Sequence, residues 1–201
     1  MIRNPLLGQV LGGLFGQAMM RRGARGGLGG GMGGLGGGLG GIALGSVLGG
    51  MMRGGRGPMG LPARRGVGGN QAALLMMLLP LAMRWVQRNG GMGAVLDRFK
   101  QQGFGRQAQS WVDTGANDDI DEKAVEQVVG REELRQMAER LGVPEEQVAQ
   151  AFAEIMPEMA DKLSPEGRLP SEADDVLDEG ARTLEKEIED VQYRELSPSK
   201  G

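Results

Sequence analysis

The chain has 201 residues, no His, no Cys, 38 Gly and only two Trp, one Tyr and four Phe. That length suits one ordinary domain with tails rather than two full cores. The absences exclude a Ser-His-Asp triad, a thiol nucleophile, a redox pair, a disulfide staple and a zinc site of the usual nitrogen and sulfur ligands. A net charge of −3 hides a division: residues 1–96 carry ten Arg and no acid, and residues 97–201 carry 13 basic and 26 acidic side chains. A chain split this way can attract anionic surfaces with its first half, or pair its two halves.

Residues 1–69 form a Gly/Arg-rich low-complexity arm in which 27 positions are Gly. Glycine raises the entropy cost of ordering and leaves little side chain to bury, so the arm is expected to be largely disordered. Its start is the exception. Leu6, Leu7, Val10, Leu11, Leu14 and Phe15 share one helical face, with Gly8, Gly12 and Gly16 on another. Residues 26–52 carry no charge, and Gly29, Gly33, Gly37, Gly41, Gly45 and Gly49 recur at every fourth position. Two readings stand for this stretch: a linker, or glycine-packed assembly or membrane insertion. Only Ile42–Met52 is clearly apolar, and a bilayer span needs about 20 such residues. Glycines interrupt the N-terminal apolar stretch and no A-x-A site follows, so it is a poor signal peptide. A cytoplasmic location is expected, with peripheral membrane attachment as the alternative.

A folded domain is expected over 70–170. Asn70 is a candidate N-cap, and Ala72–Met83 is an apolar helix or helix pair entered or kinked at Pro80. Asn89-Gly90-Gly91 ends it. A helix follows over Gly93–Gln101 and is broken at Gly103. Phe104–Val112 places Phe104, Ala108, Trp111 and Val112 at helical spacing. Asp121 caps a helix through Val129, and Gly130 terminates it. Arg131–Leu141 ends at Gly142, a natural C′ residue, and Pro144 suits the first turn of the next helix. That helix is restarted or kinked at Pro157 before Ser164-Pro165. Ser171 with Asp174 forms a capping-box-like start for a last, acidic helix within 171–201. Its Leu177, Ala181, Leu184, Ile188 and Val191 make an a/d seam, open to docking on the chain's own domain or to intermolecular pairing. No strand-like alternation occurs. The fold class is all-α: a compact bundle of short helices, a Gly-rich arm and an amphipathic C-terminal helix.

Three stretches carry a family resemblance. They are Trp85-Val86-Gln87-Arg88-Asn89-Gly90-Gly91 with Leu96-Asp97-Arg98-Phe99, then Gly103 through Asn117, then Met156-Pro157-Glu158-Met159 through Gly167. Together they resemble the YidB-like family of bacterial proteins of unknown function, over about 83–170. The resemblance implies a compact helical domain and supplies no catalytic residues. In the motif, Gly103 and Gly105 separate two helices, Trp111 fills core and Gly115 turns the chain. The competing reading is a groove around Trp111 that binds a peptide.

Carboxylates are the only abundant catalytic candidates, and their densest cluster is Asn117-Asp118-Asp119-Ile120-Asp121-Glu122. It fails as a calcium loop, because position 6 is Asp118 instead of Gly and position 12 is Ala124 instead of Glu. A solvated turn and a helix cap account for it. No metal, cofactor or catalytic group is therefore expected. Two functional readings follow. The first is a non-enzymatic interaction protein that binds itself or another protein through the 177/181/184/188/191 seam or Trp111. The second is a binder of an anionic membrane surface or RNA through Arg21, Arg22, Arg25, Arg53, Arg56, Arg64 and Arg65. Specific DNA recognition is not expected.

Overall fold

A computed structural model describes the backbone of residues 5–23 and 67–196, and the side chains of 5–20 and 71–190. Among the described residues there are only helices: α1 (Pro5–Gly23), α2 (Val67–Arg88), α3 (Gly91–Phe99), α4 (Gly105–Val112), α5 (Glu122–Val129), α6 (Arg131–Leu141), α7 (Glu145–Leu163) and α8 (Ala173–Leu196), with a π turn at Lys100–Phe104 between α3 and α4. The chain is all-α, as its pattern implies.

Helix α7 is the hub. It packs against α1, α2, α4, α5, α6 and α8. Val148, Ala149, Ala151, Phe152, Ile155, Met156, Met159, Ala160 and Leu163 are buried around its circumference. Burial of this kind, at about 25 cal/mol per Å² of apolar surface, is the main force holding the bundle. Pro157 does not break it: the helix runs unbroken from Glu145 to Leu163, and Pro157 is itself buried. Pro80 likewise sits inside continuous α2. A proline removes one donor, and surrounding packing offsets that loss.

The N-terminal helix is part of the bundle and not an appendage to it. Leu7, Val10, Leu11, Leu14, Phe15 and Ala18 are buried, and α1 lies against α7 and α8. The folded unit therefore reaches outside the expected 70–170 on both sides, because α8 is also packed in it. Arg84 pairs with Glu185 and Gln87 bonds Asp178, which sets α2 antiparallel to α8. Phe15 faces Gly180, and Met19 and Val176 wall one depression, which sets α1 antiparallel to α8 as well. Helices α1 and α2 thus run parallel, and residues 24–66 connect opposite ends of the bundle. Those residues lie outside the described ones, and with them the glycine repeat, the expected disorder and Arg25, Arg53, Arg56, Arg64 and Arg65.

Helix ends follow local chemistry, with one correction. Asp121 Oδ1 accepts from the Ala124 N–H at 2.8 Å, the expected cap of α5. Gly142 ends α6 at φ 66°. Asp174, in contrast, does not close a capping box on its own helix. Its Oδ1 accepts from the Met92 N–H at 2.9 Å and caps α3, 82 residues away. Two interactions competed for that carboxylate, and the tertiary one won.

Candidate functional site

The stretches that carry the family resemblance meet in the core. Trp111 is 1 % exposed. It stands edge-on to Phe99 with ring centroids 5.0 Å apart, and its indole N–H donates to the Asp118 carbonyl at 2.8 Å. The Ser110 hydroxyl accepts from the Asp118 N–H. Asn117 donates its side-chain amide to the Pro157 carbonyl at 3.3 Å. Buried Ser164 donates to the carbonyl of Ala160 and lies 3.4 Å from that of Trp111. Gly167, at φ 73°, packs on Thr114. Trp85 stands edge-on to Phe152, and the Asn89 side chain donates to the Trp85 carbonyl at 2.8 Å. These motifs are clamps between α2, α4 and α7. Trp111 fills core, as the motif reading has it; the competing peptide groove has no exposed ring to carry it among the described residues, because both the ring and its donor are used inside the fold.

Two carboxylates of the acidic cluster have structural roles as well. Asp118 pairs with Arg106 at 2.9 Å, and Asp121 is the α5 cap. Among the described residues no group of three or more carboxylates is placed to hold a metal ion.

The C-terminal seam divides along its length. Leu177, Ala181 and Leu184 are buried, the outer two fully, against the chain's own helices. An intermolecular contact through these three is therefore corrected: their apolar surface is already covered. Ile188 is only partly buried, and the side chain of Val191 lies outside the described ones.

Ile188 opens onto a groove of about 470 Å³ between α2, α6 and α8. Met77, Pro80 and Leu81 of α2, Leu141 of α6 and Ile188 of α8 supply its apolar lining. Met77 is 45 % exposed and shares this lining with Leu81, Leu141 and Ile188, so the apolar surface is a patch and not one side chain. Charges of both signs surround this lining: Arg84, Arg88 and Arg140 with Glu133, Glu185 and Glu189. Two ion pairs, Arg84 with Glu185 and Arg88 with Glu133, tie α2 to α8 and α6 and hold the walls at fixed spacing. Hydrogen bonding to Glu185 and its charge hold the Arg84 guanidinium above its ordinary pKa. A wider depression, about 620 Å³, lies between Met19, the Pro165–Glu172 loop and Val176. It opens four residues before the chain leaves α1 at Gly23.

Two carboxyls elsewhere are pushed up. Burial raises Glu154, against a hydrogen bond from Gln71 that lowers it. Burial and then the charge of Asp190 raise Glu187, whose Oε2 is buried without a hydrogen bond among the described residues. They stand on different helices and form no dyad.

The sequence profile of the YidB-like protein family matches residues 4–172. The chain belongs to the YidB-like family. Among curated proteins it is similar to the uncharacterised protein YidB of Escherichia coli strain K12, 25 % identical over 108 residues, which is 53 % of this chain and 82 % of that protein. Among solved structures it is similar to a homeodomain-like protein of unknown function from Shigella flexneri, at 21 % identity and TM-score 0.44, over 70 % of this chain and 94 % of that one. The YidB-like match takes in α1 and stops one residue before α8 begins. One wall of the groove therefore lies outside the matched residues.

For the anionic-surface reading, the described part of this YidB-like chain supplies less than its sequence offered. The apolar face of α1 is turned into the core, so it is not free to enter a lipid surface. Arg21 and Arg22 lie in the last turn of α1, where side chains are not described. Among the described residues no helix is long and apolar enough to cross a membrane. Sequence reasoning found Ile188 and missed Met77, Leu81, Leu141 and Arg140. The available signal was Met77, an apolar residue surplus to the buried stripe of α2.

Proposed function

We propose that this YidB-like chain is a non-catalytic interaction protein that pairs with a second copy of itself through the α2–α6–α8 groove. One observation carries this reading: half-exposed Met77 beside partly buried Leu81, Leu141 and Ile188, inside a rim of three cations and three anions. An apolar centre within a polar rim is the anatomy of a protein interface. The balance of signs favours a copy of the same surface over a strongly charged partner. An isologous contact lays a patch on itself, and only a patch carrying both signs is complementary to itself.

Full-length protein and its Met77→Asp variant test the reading by light-scattering mass after size exclusion. The native chain is expected to run as a dimer and Met77→Asp as a monomer with unchanged helical content by circular dichroism. Equal masses for the two proteins would refute the groove as the contact. Leu184→Asp is not a usable probe, because a charge at a fully buried position unfolds the bundle before it reports on pairing.

A further inference from the structure

Two of the six groove charges stand apart. Arg84 and Arg88 are each paired across the helix packing, with Glu185 and Glu133. Arg140, on the α6 wall, and Glu189, on the α8 wall, form no ion pair among the described residues, with each other or with any other group. Both side chains are exposed, and neither makes an ion pair that ties one helix to another.

We infer that this couple sets the register of self-pairing: Arg140 of one copy meets Glu189 of the second, and the same contact recurs about a two-fold axis. The inference rests on the self-pairing proposed above and names the residues that determine its geometry. With the two-fold axis running along the groove, the walls exchange, so a residue of α6 faces α8 of the other copy. Each charge also adjoins an apolar groove residue, Arg140 beside Leu141 and Glu189 beside Ile188. A register that brings the apolar pairs together brings the charged pairs together with them. A shifted or head-to-tail register would leave a cation and an anion unmatched at each contact. Charges at the rim of an apolar contact discriminate between registers more than they add affinity.

Charge reversal in the full-length chain tests this, read as the dimer dissociation constant from sedimentation at low salt. Arg140→Glu and Glu189→Arg each place like charges face to face twice per dimer. Each is expected to weaken pairing by about tenfold or more. The double variant restores opposite signs and is expected to return to within about threefold of the native value. Helical content by circular dichroism should not change in any of the three, and high salt should shrink the differences. Single variants that pair like the native chain, or a double variant as weak as the singles, would overturn the register. If Met77→Asp still abolishes pairing in that case, the groove stands and only the register falls. A native chain that is monomeric throughout would remove both.

Discussion

At the scale of single residues, glycine positions divide by what stands opposite them. Gly91 has φ 88°, and an added Cβ would run into the Asp174 carboxylate that caps α3. Gly91→Ala is expected to cost about 1–3 kcal/mol from backbone strain alone, and more if the cap is displaced. Gly180 lies under Phe15, whose ring edge would be 2.9 Å from a new Cβ. Gly180→Ala should therefore destabilise, because overpacking of about 1–3 kcal/mol exceeds the propensity gain. Gly13 has nothing within 4 Å, so Gly13→Ala should stabilise by up to about 1 kcal/mol. Thermal melts of the three variants check the ordering. A destabilised Gly13→Ala would contradict the described exposure of that face. Glu187 makes a pH prediction. Its carboxyl is raised by burial and by Asp190, so the folded state favours its protonated form. Stability is greatest below the ordinary carboxylate range and declines as pH rises through that range towards the raised value. Glu187→Gln should gain stability over the native chain near neutral pH, and the gain should vanish in acid. An equal difference at both pH values would deny that the carboxyl is shifted.

At the scale of elements, α1 is the test of what belongs to the fold. Leu11 is fully buried, and Leu11→Ala is expected to cost about 2–5 kcal/mol by denaturant titration. A cost near zero would return α1 to the status of a free arm. The sequence already carried the periodicity of this helix in Leu7, Val10, Leu11, Leu14 and Phe15. It did not carry the partner. Gly8, Gly12, Gly13 and Gly16 lower intrinsic helix stability, and residues 24–66 separate α1 from the rest, so local reasoning offers a short, weak amphipathic helix and no place for it. Docking on α7 and α8 supplies that place. The helices from α3 to α6 were legible to within about two residues, because caps and glycine stops such as Asp121, Gly130 and Gly142 act locally. Pro80 and Pro157 left open a new helix start or a kink; the new start falls, because both helices run on through the proline. The role of Asp174 was not legible at all, since its partner is Met92. The seam was legible as a stripe from Leu177 to Ile188. What covers a stripe is decided by packing across the chain, and most of this one is spent internally.

At the scale of the whole molecule, the motifs of the family have structural roles among the described residues. Trp85, Asn89, Trp111, Asn117, Pro157, Ser164 and Gly167 lock helices together. Beside them, the groove between α2, α6 and α8 offers an apolar floor and balanced charge. The division of charge along the chain, ten Arg before the first acid at Asp97, is partly neutralised within the bundle by Arg84 and Arg88. A dimer that rests on Met77, Leu81, Leu141 and Ile188 should tolerate salt, since exposed ion pairs contribute only about 0–1 kcal/mol each and the apolar contact is not screened. The most direct measurement is the light-scattering mass of the full-length chain at low and at high salt. The account predicts a dimer at both, with modest weakening at high salt. A monomer at both salts, or an assembly that falls apart completely at high salt, would contradict pairing through this groove.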